Sequence, residues 1–353
     1  MPAATLSEAP TSSKEVFTIQ VLRAAAALFV ILRHVDRSRL AFGSMGVDIF
    51  FVLSGFVMIL STARLSRQPG AARIFLRRRI VRIIPMYWLF TAIQAVRDVA
   101  AGPHVTAKEV LCSLLFIPYR FGQVQGSIYF PVISVGWTLN YEAFFYVCFA
   151  VCLLLRRSAF WMTPLFVGLT VWGLYHPEPA VGAFSLFNYR LLIFTAGMLL
   201  ARLYMARRIL RVVPASLLLC AAVGAVCFWS HDTYWPHMLV WAPAAVAGTY
   251  ALLSFEPWIA RHTPRLVQLL GDASYSIYLS HLVLTFAFLH AVMVHLAPLR
   301  SGLSQVVFGV VAVSLSCLVG IGVHFLIERR ILRYFAVRLG GHPATQAVLV
   351  PAP

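Results

Sequence analysis

Arg23 and His34 lie eleven positions apart inside an otherwise apolar run, IQVLRAAAALFVILRHV over residues 19–35. Ionisable side chains at membrane depth are costly and by default mark a site. At about 100° per residue, eleven steps bring a helix back to within about 20° of its starting azimuth. The guanidinium and the imidazole therefore share one face and stand roughly 16 Å apart along the axis. That is a polar stripe directed at the bundle interior, with a cation at one end and a proton acceptor at the other. The competing reading is an arginine that snorkels at the helix start and a histidine already in water at its end.

Further residues suited to chemistry begin the later apolar runs. Asp48, in GSMGVDIFFVLSGF at 43–56, follows a short turn and is expected at the height of His34. A carboxylate there would orient the ring, select its tautomer and favour the protonated form, as a base acting on an acceptor hydroxyl requires. The alternative is a hydrated residue at the membrane interface. Arg78, Arg79 and Arg82 precede Pro85; positions 79 and 82 share a helical face, and arginine suits multidentate phosphate contacts. The retention of basic residues on the cytoplasmic side explains the same cluster without a ligand. Glu142, within WTLNYEAFFY at 137–146, is expected to face the bundle. It either pairs with an arginine such as Arg190 or shapes an acceptor site with Trp137 and Tyr141. Asn140, Tyr141 and Ser54 are candidate donors to a developing oxyanion. His281 either lines a donor channel or is a hydrogen-bonded core histidine.

The elements that position these groups are membrane helices. Hydrophobic residues make up 60% of the chain, charged residues only 12%, and the mean hydropathy is +0.82. That excludes an ordinary soluble domain. Apolar stretches of membrane-crossing length are read at 18–35, 44–62, 80–101, 135–155, 159–174, 185–204, 212–229, 235–253, 273–296 and 303–327. The expected fold is therefore an all-α integral membrane bundle of about ten transmembrane helices, residues 18–338 forming one domain. Residues 1–17 and 339–353 are expected to be disordered cytoplasmic ends. Most of the Lys and Arg residues behind the net charge of +17 fall in loops that are inward if the N-terminus is cytoplasmic. The charge thus reads as topology and contact with anionic lipid, and a nucleic-acid partner is not expected. The six cysteines show neither disulfide nor zinc-ligand spacing, so no metal is expected.

In order along the chain, Arg23-x10-His34, GSMGVDIFFVLSGF, Arg79-x-x-Arg82-x-x-Pro85, WTLNYEAFFY, Arg190-x-x-x-Phe194-x-x-Gly197 and GDASYSIYLSH at 271–281 resemble the acyltransferase family 3 membrane enzymes. That family includes bacterial exopolysaccharide and O-antigen O-acetyltransferases. The chain departs from it at Glu328-Arg329-Arg330, where the family often has Glu-x-Pro. The resemblance implies transfer of an acetyl or other short acyl group from cytosolic acetyl-CoA, as co-substrate, to a hydroxyl of a cell-envelope or exported glycan. It makes His34 the catalytic residue and Arg23, Arg79 and Arg82 the donor-binding candidates. The residues themselves add Asp48 and Glu142 as catalytic candidates, Arg78 and His281 on the donor side, and Trp137, Asn140, Tyr141 and Arg190 on the acceptor side. The resemblance also implies the bacterial inner membrane and polysaccharide-assembly proteins as partners. The alternative is a transporter or flippase for a lipid-linked glycan, since intramembrane charge also marks permeation paths.

Overall fold

The first helix, α1 (Phe17–Val35), carries no capping side chain of its own. Its orphan N–H groups are met by a carboxylate from far along the chain. Phe17 N donates to Glu256 Oε1 at 2.9 Å, and Thr18 N and Oγ1 donate to Oε2 at 2.8 and 2.5 Å. An anion at the positive end of the helix adds favourable dipole energy. The computed structural model describes residues 14–36, 39–63, 65–102, 105–119, 130–176, 187–229, 237–295, 302–338 and 349–350. These are helical apart from loops and one two-residue antiparallel pair, Lys14–Glu15 with Leu349–Val350. Most of the two terminal segments expected to be disordered lies outside the described residues.

Glycine determines how closely α2 (Met45–Thr62) lies to its neighbours. A Cβ on Gly43 or Gly46 would stand 2.3 and 2.4 Å from the Phe29 and Ala26 carbonyl oxygens of α1. One on Gly55 would meet Phe194 O at 2.0 Å, in α7 (Arg190–Met205), and one on Gly197 would meet Val52 O at 2.0 Å. Small residues of this kind let membrane helices approach to backbone contact. Phe51 against Phe194 and Phe56 against Tyr204 show that α2 and α7 run parallel.

Three more helices complete the frame around the site. The helix α3 (Ala71–Ala101) starts nine residues before the expected 80–101 and takes the basic cluster into the helix itself. At about 1.5 Å per residue its 31 residues span roughly 46 Å, longer than a bilayer core. Next comes α5 (Trp137–Leu154), preceded in sequence by the short α4 (Ala107–Leu114). The stretch 273–296 is an α-helix (Ser274–Ser280), a π-turn (His281–Phe286) and a second α-helix (Ala287–His295). Its first part lies parallel to α1 in a continuous register. Gln20 Nε2 donates to Asp272 Oδ1 at 2.9 Å, Arg23 Nε to Ser274 Oγ at 3.2 Å, and Ala27 and Ile31 pack on Ala273 and Ile277.

Helix occupies each of the ten apolar windows. By length and composition, five helices among the described residues can cross a membrane, or six if the pair bent by 75° between Leu253 and Glu256 is one span. Others are shorter, such as Met162–Tyr175, or 17 residues long, as in Val212–Phe228. Large apolar side chains point outward on many of them, Leu217, Val310 and Leu318 among these. This is the surface of a helical membrane protein, for which lipid is the matching solvent.

Candidate active site

Arg23, Arg78, Arg79 and Arg82 line one cavity of about 430 Å³ between α1, α2, α3, α5 and the 274–280 helix. Arg77 lines it too, and Ser54, Ser61, Thr138, Glu142, Tyr146, Ser274, Tyr275 and Tyr278 complete the polar lining. One lining carboxylate among five arginines leaves the cavity strongly cationic, which favours a polyanion. Arg79 Nη2 donates to Ser61 Oγ at 3.2 Å, and the guanidinium lies over the rings of Phe75 and Tyr146 at 5.8 and 5.9 Å. Its Nε is buried without a hydrogen-bond partner. Among the described residues Arg82 makes no hydrogen bond and no ion pair. Such uncommitted donors are what a phosphate-bearing ligand would use.

Helix α5 divides the polar residues between two places. Thr138, Glu142 and Tyr146, four positions apart, face the cavity. Glu142 Oε1 accepts from Ser54 Oγ and from Tyr146 OH, each at 2.5 Å. The expected alternatives placed Glu142 with Arg190 or with Trp137 and Tyr141. Those groups lie instead about 100° round the helix, since Tyr141 precedes Glu142 by one position. Arg190 lies over Trp137 at 5.0 Å and over Tyr189 at 4.9 Å, and Trp137 meets Tyr141 edge-on at 5.8 Å. Asn188 donates from Nδ2 to Tyr141 OH and accepts from Arg190 N at 3.0 Å. Three of the acceptor-side candidates thus form one cluster. Asn140 is buried, with its Oδ1 unpartnered.

Asp48 belongs to that second cluster and not to His34. Gly46 turns towards α1, and two further residues rotate the helix by about 200°. Asp48 therefore shares the face of Val52 and Gly55, against α7, where Arg190 is the cation that acts on it. Its Oδ2 is buried with no hydrogen-bond partner. Spacing in sequence fixes height along a helix; azimuth is what separates the two residues.

Among the described residues, His34 meets His281. Its Nε2 stands 3.4 Å from His34 Nδ1, with ring centroids 5.0 Å apart. His281 is fully buried and hydrogen-bonded, and it is not among the residues that line the arginine cavity. Tyr278 links the two places: its side chain lines the cavity, while its carbonyl accepts from His281 Nδ1 at 2.7 Å. The Tyr278 hydroxyl is held by Val135 O and Thr138 Oγ1, both at 2.8 Å.

A buried trio near the start of the 274–280 helix was not singled out from sequence. Glu328 Oε2 accepts from Ser276 Oγ at 2.6 Å and lies 2.7 Å from His324 Nδ1. The i, i+4 spacing of His324 and Glu328 was its available signal, obscured because Glu-Arg-Arg reads as a helix end.

The model of the Acyl_transf_3 family, described as an acyltransferase domain, matches residues 16–323. The exopolysaccharide production protein ExoZ of Rhizobium meliloti (strain 1021) is 34% identical over 299 residues, covering 82% of this chain and 90% of that protein. The peptidoglycan O-acetyltransferase OatA of Listeria monocytogenes serovar 1/2a is 27% identical over 251 residues, covering 62% of this chain and 39% of that protein. Protein 2 in picA locus of Rhizobium radiobacter is 28% identical over 144 residues, covering 34% and 73% respectively. No solved structure matches the chain.

Proposed function

The chain belongs to the acyltransferase family whose model it matches, and from that premise we propose that it is a membrane-embedded O-acyltransferase acting on a polysaccharide. It moves an acetyl or other short acyl group from cytosolic acyl-CoA to a hydroxyl of a cell-envelope or exported glycan. In this reading the chain crosses the bacterial inner membrane ten times, with both termini in the cytoplasm. Polysaccharide-assembly proteins are its partners. The single observation that carries the reading is the arginine cavity and its neighbour. Arg23, Arg79 and Arg82 line one cavity together with Tyr278, whose carbonyl is hydrogen-bonded to His281, and His281 in turn meets His34.

The residues divide the work. The arginines hold the nucleotide phosphates of the donor by charge-assisted hydrogen bonds. The cavity is too small for a whole coenzyme, and its apolar wall of Val47, Phe50, Phe51 and Leu139 suits the pantetheine arm and acyl group. His34 takes the proton of the acceptor hydroxyl as the oxygen attacks the thioester carbonyl. The carbon–sulfur bond then breaks, and the thiolate leaves with that proton as free CoA. In the covalent variant the imidazole attacks the thioester carbonyl first and the carbon–sulfur bond breaks to release the CoA thiolate; the acceptor hydroxyl then attacks the acyl-imidazole, restoring His34 while its proton passes to the thiolate. Trp137, Tyr141 and Arg190 offer an aromatic and cationic surface for the acceptor.

The test is ester analysis of envelope and exported glycans from cells with the gene, without it, and with His34→Ala. Alkali-labile ester is expected only with the wild-type gene. Equal ester content in all three strains refutes the reading. Acetyl label trapped on purified protein without acceptor selects the covalent route, and its absence with strict dependence on both substrates selects direct transfer.

A further inference from the structure

The geometry points to His281 as the positioning residue that sets the tautomer of His34, the part expected of a carboxylate. The inference rests on the reading of His34 as the proton acceptor. Carbonyl oxygens only accept, so a ring nitrogen within hydrogen-bond distance of one must carry the proton. His281 Nδ1 lies 2.7 Å from Tyr278 O, and His34 Nδ1 lies 2.8 Å from Val30 O. Both rings are thereby Nδ1–H tautomers when neutral. His281 Nε2 then bears a lone pair, directed at His34 Nδ1 at 3.4 Å. The His34 Nδ1–H is shared between a carbonyl on its own helix and an imidazole 247 positions away in sequence.

The intrahelical bond alone would not distinguish His34. His176 and His262 make the same i−4 contact, to Trp172 O and Trp258 O, each at 2.9 Å. What distinguishes His34 is a second acceptor, fully buried and itself fixed by the Tyr278 carbonyl. The Phe286 ring, 6.4 Å from His34 and 6.2 Å from His281, packs on both imidazoles. With Nδ1–H so committed, Nε2 of His34 carries the lone pair that receives the acceptor proton. The resulting imidazolium keeps its Nδ1–H against the neutral His281 ring. No carboxylate needs to be buried beside it, which in lipid is the costlier solution.

His281→Phe, His281→Gln and His281→Asn test the assignment in the full chain reconstituted in lipid nanodiscs. The substrates are acetyl-CoA and glycan isolated from cells lacking the gene. Phenylalanine keeps the packing and removes the acceptor; glutamine returns an amide oxygen near the Nε2 position, and asparagine returns one near Nδ1. Expected are a kcat about 10- to 100-fold lower for His281→Phe with an unchanged KM for acetyl-CoA, most of kcat recovered by Gln, and little by Asn. Wild-type kcat in His281→Phe, or Asn matching Gln, overturns the assignment. Nitrogen-15 NMR of histidine-labelled wild-type protein, with His34 assigned by His34→Ala, tests it independently of whether the variants fold. An Nε2–H tautomer at His34 overturns it. Transfer retained by His34→Ala would instead refute the functional reading itself.

Discussion

Arg82 is the half-buried cation of the cavity whose donors are all uncommitted among the described residues, and its removal gives the sharpest test of donor binding. Its guanidinium carries five N–H donors, none committed to a hydrogen bond among the described residues. Arg79, by contrast, already donates to Ser61 and lies over Phe75 and Tyr146. A hydrogen bond to a charged group is worth about 1.5–3 kcal/mol net. Since about 1.4 kcal/mol is tenfold, Arg82→Gln should raise the KM for acetyl-CoA by roughly 10- to 100-fold. The reacting atoms are untouched, so kcat should stay within about twofold, the signature of binding shared by ground and transition states. The assay is steady-state release of free thiol from acetyl-CoA and from acetyl-pantetheine, which lacks the nucleotide phosphates. The variant should match wild type with acetyl-pantetheine. Equal losses with both substrates, or a fall in kcat at constant KM, would refute a phosphate-holding role.

Two further perturbations probe the frame. Gly197→Ala places a methyl group 2.0 Å from the Val52 carbonyl, where only backbone can yield, and should cost about 1–3 kcal/mol. A lower thermal midpoint in detergent checks this, with Gly224→Ala, where nothing stands within 4 Å, expected to be no less stable than wild type. Glu142→Gln keeps an acceptor for Ser54 and Tyr146, whereas Glu142→Ala leaves two hydroxyls unmet at about 1–3 kcal/mol each. The Ala variant should therefore unfold at clearly lower temperature than the Gln variant, and equal midpoints would remove Glu142 from the packing argument.

Periodicity made part of this arrangement legible. Arg23 and His34 do share a face of α1, meeting Ser274 and His281 on one neighbouring helix. Arg79 and Arg82, three apart, do open on one cavity. What periodicity along one helix lacks is the azimuth of the next, and Asp48 shows the consequence. Gly43 and Gly46 mark the face turned to α1, so Asp48 two positions later must turn away. The pairing of His34 with His281 had no local signal, because its partners are separated by almost the whole bundle. Glu328 had one, four residues after His324, but a charged pair of arginines beside it reads as a membrane boundary. Helix ends were least legible where polar residues run into a span, as at Ala71.

The seam between the first helix and the 271–281 stretch also governs when the enzyme comes into being. Its bonds join residues 247 to 252 positions apart, so the ribosome delivers one half of the seam long before the other exists. Until then the first helix waits in the membrane without the Ser274 and His281 contacts of its arginine and histidine, and its N-terminal amides lack Glu256. Chains that stop early carry every cationic residue of the cavity yet no working centre. Two separately made pieces divided between α7 and the Val212–Phe228 helix should regain activity only on meeting.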